Sequence, residues 1–284
     1  MASIERNLQQ AAKPATFSDF MTGAGVKKKI MSMLGGERGN SFISGLVSSV
    51  QKNSQLAKCE RGSILSAALE GAALNLSNTL GYYYLVPFND RKNNRTVAQF
   101  QLGYKGYIQL AIRSGQYKRI NVLAIKEGEL IGYNPLTEEL KVNIEENDEI
   151  REKLPTIGYY ASFEMINGFT KSMYCSIEKM RAHALKYSES YRSDVNKGNQ
   201  YSFWSKNFDM MAYKTMLRRL LGQWGAMSVE MTRAMVNDMS VLNDEGEARY
   251  IDNEAEVVEA TVNANQSNEQ STENPVENFF NDKE

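Results

Sequence analysis

The run Gly103-Tyr104-Lys105-Gly106-Tyr107 sets one lysine between two tyrosines and two glycines. Glycine permits close backbone approach, lysine brings positive charge, and a tyrosine ring offers a face on which a base can stack. Arg113, Lys118 and Arg119 follow within a dozen residues, around Gly115. Basic and aromatic residues interleaved in this way suit single-stranded nucleic acid. An ordinary strand-to-helix junction with surface lysines gives the same local pattern. A second group lies further on. In a helix read from Phe203 to Leu221, Asn207, Lys214 and Arg218 fall within roughly a 40° stripe at about 100° per residue. Much of the remaining circumference is apolar or aromatic, including Phe203, Trp204, Phe208, Leu217 and Leu221. Such a helix is packed on several sides, so its basic stripe faces either a groove or the solvent. Lys27-Lys28-Lys29 is a third basic cluster, best read as the solvated start of a helix.

Residues suited to other chemistry are sparse. The single histidine, His183, sits between Ala182 and Ala184 in a helical stretch, where a catalytic triad or metal cluster is hard to build. No GxxxxGK[ST] occurs, so a phosphate-cradling loop for ATP is not expected. Cys59 and Cys175 are too few for a disulfide framework and no CxxC is present, which fits a reducing cytoplasm. No cofactor, metal or catalytic residue is predicted.

The elements that must hold these residues alternate in type. Helical spacing covers Phe42 to Val50 and Ser63 to Leu74, with Ser63 as the expected N-cap. Strand signals at Tyr82 to Phe88 and Thr96 to Leu102 flank a polar loop, Asn89 to Arg95. Tyr107 to Arg113 reads as a short helix stopped at Gly115, and Tyr117 to Ile125 as a strand. Glu138 to Glu152 reads as a solvated acidic excursion. Ile157 to Met165 and Phe169 to Ser176 form a hairpin across Asn167-Gly168. Helices follow at Ile177 to Tyr187, Phe203 to Leu221 and Val229 to Met239, with Ser176, Ser202 and Ser228 as N-caps. The expected fold class is α+β: antiparallel β-hairpins forming a small sheet, backed by several helices.

Charge divides the chain. From Val241 to the end there are 12 acidic and 2 basic residues, a net of −10. The first 240 residues hold 31 basic and 22 acidic residues, a net of +9. A basic body suggests a polyanionic partner. The polar, acidic end cannot bury enough apolar area to offset its ordering entropy. The expected organisation is a flexible segment at 1–25, one domain at 26–240 and a disordered acidic tail at 241–284. No apolar run is long enough to cross a bilayer, and Met1 to Lys13 lacks the apolar stretch of a signal peptide.

Taken in order, several strings resemble the RecT family of phage and prophage single-strand annealing proteins. They are Ala68-Leu69-Glu70-Gly71-Ala72-Ala73-Leu74-Asn75-Leu76, Tyr84-Leu85-Val86-Pro87-Phe88, Gln99 to Gly106, Leu110 to Gly115, and Trp204 to Leu220. The resemblance covers roughly Leu46 to Met239, and it rests on shared order and spacing rather than on one motif. It implies a protein that binds single-stranded DNA, holds it extended and pairs it with a complement without ATP during phage homologous recombination. It further implies a homo-oligomer, as a ring or helical filament, with an annealed duplex intermediate in a basic groove. A phage exonuclease and the host single-strand-binding protein are the expected partners, in the cytoplasm of a bacterial host cell. The candidate phosphate contacts are Lys105, Arg113, Lys118, Arg119, Lys206, Lys214 and Arg218. Tyr104, Tyr107 and Phe203 are candidate stacking residues and Asn207 a polar contact. A phage structural or assembly protein that binds nucleic acid incidentally is the alternative, and a nuclease a third.

Overall fold

A computed structural model of the protein describes residues 16–90, 93–238, 240–242 and 248–250. In chain order the elements are α1 (Phe17–Thr22), α2 (Ala24–Leu34), α3 (Gly36–Lys52), α4 (Arg61–Ala73), β1 (Tyr83–Asp90), β2 (Arg95–Leu102) and α5 (Tyr104–Arg113). Then come β3 (Tyr117–Lys126), β4 (Leu130–Asn134), β5 (Glu139–Val142), α6 (Asp148–Arg151), β6 (Thr156–Met165) and β7 (Thr170–Ser176). Last are α7 (Ile177–Tyr187), α8 (Glu189–Lys197), α9 (Phe203–Lys206), α10 (Phe208–Trp224), α11 (Val229–Asn237), β8 (Ser240–Leu242) and β9 (Ala248–Tyr250). The class is α+β with antiparallel hairpins, as the sequence predicts. The span 26–240 divides into two compact units, one up to Leu110 together with Asn237–Arg249, the other Ala111–Val236.

In the first unit β1 and β2 pair from Tyr83↔Leu102 to Asp90↔Arg95. The four-stranded sheet has the order β1-β2-β8-β9, with Phe100 opposite Ser240. Helix α4 lies on this sheet. Ser63 does not cap it: the helix begins at Arg61, and the Ser63 hydroxyl accepts the Ala98 N–H at 2.9 Å. The side chain is drawn to the strand because a buried N–H there needs an acceptor. Gly71 is required where α4 crosses β1, since a Cβ would lie 2.3 Å from the Tyr83 ring. The polar loop is shorter than Asn89 to Arg95, because buried Asp90 accepts from Asn93 at 2.6 Å and from Arg95 at 3.2 Å and so extends both strands. Flexibility up to Gly25 does not describe α1. Thr16 and Asp19 form a reciprocal capping box, and Met21 is fully buried. Residues 1–15 lie outside the described residues. Of the tail expected from 241, residues 241–242 and 248–250 lie on strands, and the remainder lies outside the described residues.

The second unit is built on a sheet of order β3-β6-β7. Gly168, at φ +86°, turns β6 into β7 as Asn167-Gly168 predicts. Tyr159, Ala161 and Phe163 of β6 are buried on the face that carries α10. The acidic stretch is largely exposed, as expected, but it is folded into β5, which pairs with β4, and α6. Its Glu138, at φ +58°, accepts the Ser172 N–H of β7 at 3.1 Å and pairs with Lys171. Buried Glu129 holds Arg151 at 2.6 Å. These carboxylates have partners, which solvation-based reasoning does not anticipate. The helix read through Phe203 to Leu221 is two helices, broken at Asn207 with φ −142° and ψ 58°. Ser176 and Ser202 cap α7 and α9 as expected, and Ser228 accepts the Met231 N–H at 3.1 Å at the start of α11. Helix α8, capped by Ser188 and ended by Gly198 at φ +67°, has too few apolar residues for its periodicity to show.

Candidate nucleic-acid interface

The Gly-Tyr-Lys-Gly-Tyr run forms the start of α5. Its glycines serve contacts within the chain. A Cβ on Gly106 would lie 2.2 Å from the Tyr82 carbonyl, and one on Gly103 2.6 Å from that of Gly81. Of the three side chains between and after them, Lys105 is exposed and Tyr104 half-buried. Tyr107 is fully buried, and its hydroxyl donates to Asp238 at 2.9 Å. The same carboxylate accepts the Leu102 N–H at 2.8 Å. Tyr107 is therefore a core residue in this structure, and stacking on a base is not open to it. The sequence pattern did not reveal this, because the partner lies 131 positions away. Exposed Tyr84, packed against Gly81 and Gly103, is a ring at this end of the first unit that pattern reading passed over.

The second unit carries the remaining candidates, and the sheet separates them. Arg119 and Glu164 are cross-strand partners, next to the Ile120–Phe163 pair, of which Phe163 is buried. Glu164 follows buried Phe163 on β6, so it and Arg119 point to the face away from α10. Lys118 is ion-paired to Glu164 at 2.6 Å, so a phosphate must compete with that carboxylate. An exposed pair of this kind contributes about 0–1 kcal/mol and can yield. Arg113 is exposed at the end of α5; the Glu230 carboxyl is held below the usual range first by its own backbone N–H and the Ser228 hydroxyl, and then by the Arg113 charge.

The helical face holds the other group. Ser202 caps α9 by accepting the Ser205 N–H at 3.1 Å. Buried Asp194 of α8 then accepts the Ser202 N–H and the Ser205 hydroxyl, each at 2.7 Å. The Ser205 hydroxyl first, then the Ser202 amide, hold the Asp194 carboxyl down at about 2. This fastening turns Trp204 inward and leaves Phe203, Lys206 and Asn207 exposed. Trp204 packs edge-on to Phe208 at 5.1 Å and also meets Tyr191 and His183. Fully buried Tyr159 donates to Asp209 at 2.5 Å and sets the first turn of α10. On α10 the expected stripe divides. Asn207 lies at the break, Arg218 is half-buried, and Lys214 is only 6% exposed. Lys214 lies one turn from buried Leu217 and two from Leu221, on the packed side of the helix. Its ammonium is not displayed to a ligand in this structure. Periodicity placed it with Arg218 because an apolar circumference does not say which side is covered.

His183 lies between the rings of Tyr187, at 4.6 Å, and Trp204, at 6.4 Å. Burial, and then the charges of Arg219, Lys186 and Arg218, push its pKa down to about 4. The folded protein therefore holds this ring neutral in a range where the unfolded chain protonates it. Stability should be intact above about pH 6.5 and fall as pH drops toward 4. The full shift corresponds to about 3 kcal/mol, or about half that for a ring left partly wet. Urea titrations between pH 7 and 4 should show the loss in the native protein and a smaller one in His183→Gln. Equal pH slopes in the two proteins would remove His183 from the account.

Among the described residues no helix is long and apolar enough to cross a membrane. Comparison with known proteins gives a consistent result. The model of the RecT family matches residues 40–269. The uncharacterised protein YqaK of Bacillus subtilis (strain 168) is 38% identical over 283 residues, covering 96% of this chain and 90% of its own. Protein RecT of Escherichia coli (strain K12) is 29% identical over 194 residues, covering 66% of this chain and 67% of its own. With its family match spanning both compact units, the chain belongs to the RecT family, whose members are single-strand annealing proteins of recombination.

Proposed function

We propose that this protein binds single-stranded DNA and pairs it with its complement without ATP, as an oligomeric ring or filament in phage recombination. The observation that carries the reading is the family match over residues 40–269. The exposed cations and rings support it: Lys105, Arg113, Arg119 and Lys206 for phosphates, Tyr104 and Phe203 for bases, and Asn207 as a polar contact. Arg218 is a half-buried member of the same set, and Lys118 joins it once Glu164 releases it. Phosphate contacts release counterions, and ring stacking tolerates any base, so sequence choice falls to Watson-Crick pairing. A phage exonuclease that supplies single strands and the host single-strand-binding protein are the natural partners, in the host cytoplasm.

The test mixes complementary fluorescent oligonucleotides with the purified protein in the absence of any nucleotide. Pairing should be faster than the spontaneous rate, and the two strands should keep their length when magnesium is added. Phe203→Ala should weaken single-strand binding by about 5- to 150-fold, the loss of one stack, with an unchanged salt slope. Pairing no faster than the protein-free rate, or pairing that needs ATP, would count against the reading.

A further inference from the structure

A group of cations outside the sequence motifs lies on α7 and α10. Both helices pack against β6 and β7. On α7, Lys179, His183 and Lys186 are spaced i, i+4, i+7 and share one stripe. Arg219 of α10 lies near enough for its charge to be felt at His183 of this stripe and at Cys175 at the end of β7. Its charge acts on Cys175 together with that of Lys179, and on His183 together with that of Lys186. Lys179, Lys186 and Arg219 are all exposed. Among the described residues none of them is ion-paired to a carboxylate. Nearby acids are engaged elsewhere: Glu178 with Ser176 and Arg181, Asp209 with Tyr159, Asp194 with Ser202 and Ser205. From Ile177 to Trp224 there are nine basic and four acidic residues, so the local field is positive as well.

We propose that Lys179 and Lys186 of α7 and Arg219 of α10 form a track for backbone phosphates of single-stranded DNA on this helical face. The inference rests on the DNA-binding reading above and adds residues to it. Lys179 and Lys186 are about 10 Å apart along the helix axis. That matches about three phosphate spacings at about 3.4 Å each along a stacked strand. Arg219 follows Arg218, a candidate contact already, about 100° round α10. An arginine here suits a phosphate, because its planar donors match two phosphate oxygens at once. Three solvated cations held in a row with no acidic partner otherwise repel one another, and an anion along the row relieves that repulsion.

His183 is the chain's only histidine, so its ring protons give one set of imidazole signals in the intact protein. Phosphates on the track would offset the charges of Lys186 and Arg219 beside it. With a saturating oligo-dT strand, the His183 titration followed by NMR should move upward from its value in the free protein. In the full-length triple variant Lys179→Gln, Lys186→Gln, Arg219→Gln, that movement should vanish. Its single-strand salt slope should fall by about 2, or roughly 20-fold less affinity loss between 50 and 200 mM salt. A melting curve beside each titration separates misfolding from lost contact, and single Lys179→Gln and Lys186→Gln variants, each expected to lower the slope by about 0.7, keep the test usable if the triple variant unfolds. Unmoved histidine signals with tightly bound oligonucleotide, or an unchanged slope in the folded variants, would overturn the track while leaving DNA binding intact. A native protein that binds no oligonucleotide would overturn the DNA-binding reading itself, and the track with it.

Discussion

Tyr107→Ala should lower the melting temperature by roughly 6–20 °C while the fraction that stays folded binds DNA with native affinity. The ring is fully buried, so its loss opens a cavity in the first unit. Large aromatic truncations of this kind cost about 3–5 kcal/mol, and each kcal/mol moves the midpoint of a chain this size by about 2–4 °C. The hydroxyl adds to the effect. It donates to Asp238 at 2.9 Å, and Asp238 also accepts the Leu102 N–H at 2.8 Å. This carboxylate ties the end of β2 and the second turn of α5 to the segment after α11, so the polar cluster fixes where α5 starts. Tyr107→Phe isolates the hydrogen bond and should cost about 1–3 kcal/mol, because a buried carboxylate oxygen loses a donor. A thermal scan run beside a binding titration decides the matter. If Tyr107→Ala melts like the native protein yet binds weakly, the ring is reaching the ligand, and its placement in the core is wrong.

The same residue marks the boundary of what sequence reasoning delivers. Local signals were legible: Asn167-Gly168 gave the β6–β7 hairpin, Gly115 the end of α5, and Ser176, Ser202 and Ser228 the starts of three helices. Each depends on atoms within four residues. Features set by distant partners were not legible. Ser63 looked like a cap because it precedes an apolar run, but the Ala98 N–H, 35 residues away, claims its hydroxyl. Glu138 looked solvated because it opens an acidic stretch, but Lys171 was already placed to receive it. For the candidate site, residue type identified exposed Lys105, Arg119, Phe203 and Lys206. Type alone did not separate them from buried Tyr107 and Lys214, whose tyrosine and lysine are equally suited to DNA. The track on α7 and α10 was missed for a related reason. Lys179, Lys186 and Arg219 are scattered in sequence, and only packing on one sheet gathers them.

Where the folded body ends also has a large expected effect, and two truncations bracket it. Charge suggests a boundary at 240, but β8 begins at Ser240 and pairs with β2 opposite Phe100. The family match likewise runs on to residue 269. A chain cut after Met239 therefore loses β8 and β9 and reduces the four-stranded sheet to the β1–β2 hairpin. Two strands are marginal without neighbours, and the bared edge of β2 becomes a template for association. This variant should aggregate or melt well below the native protein. A chain cut after Tyr250 keeps both strands. It sheds nine acidic residues and one lysine, which takes the formal net charge from −1 to +7. With less negative charge to compete for the cations, it should bind single strands at least as tightly as the native protein at low salt. The advantage should shrink as added salt screens the removed charges. Light scattering, melting and oligonucleotide titrations on both variants make the comparison. A soluble, stable chain ending at Met239 would show that β8 and β9 contribute nothing to the sheet. Weaker low-salt binding by the chain ending at Tyr250 would mean that the removed segment takes part in DNA binding rather than opposing it.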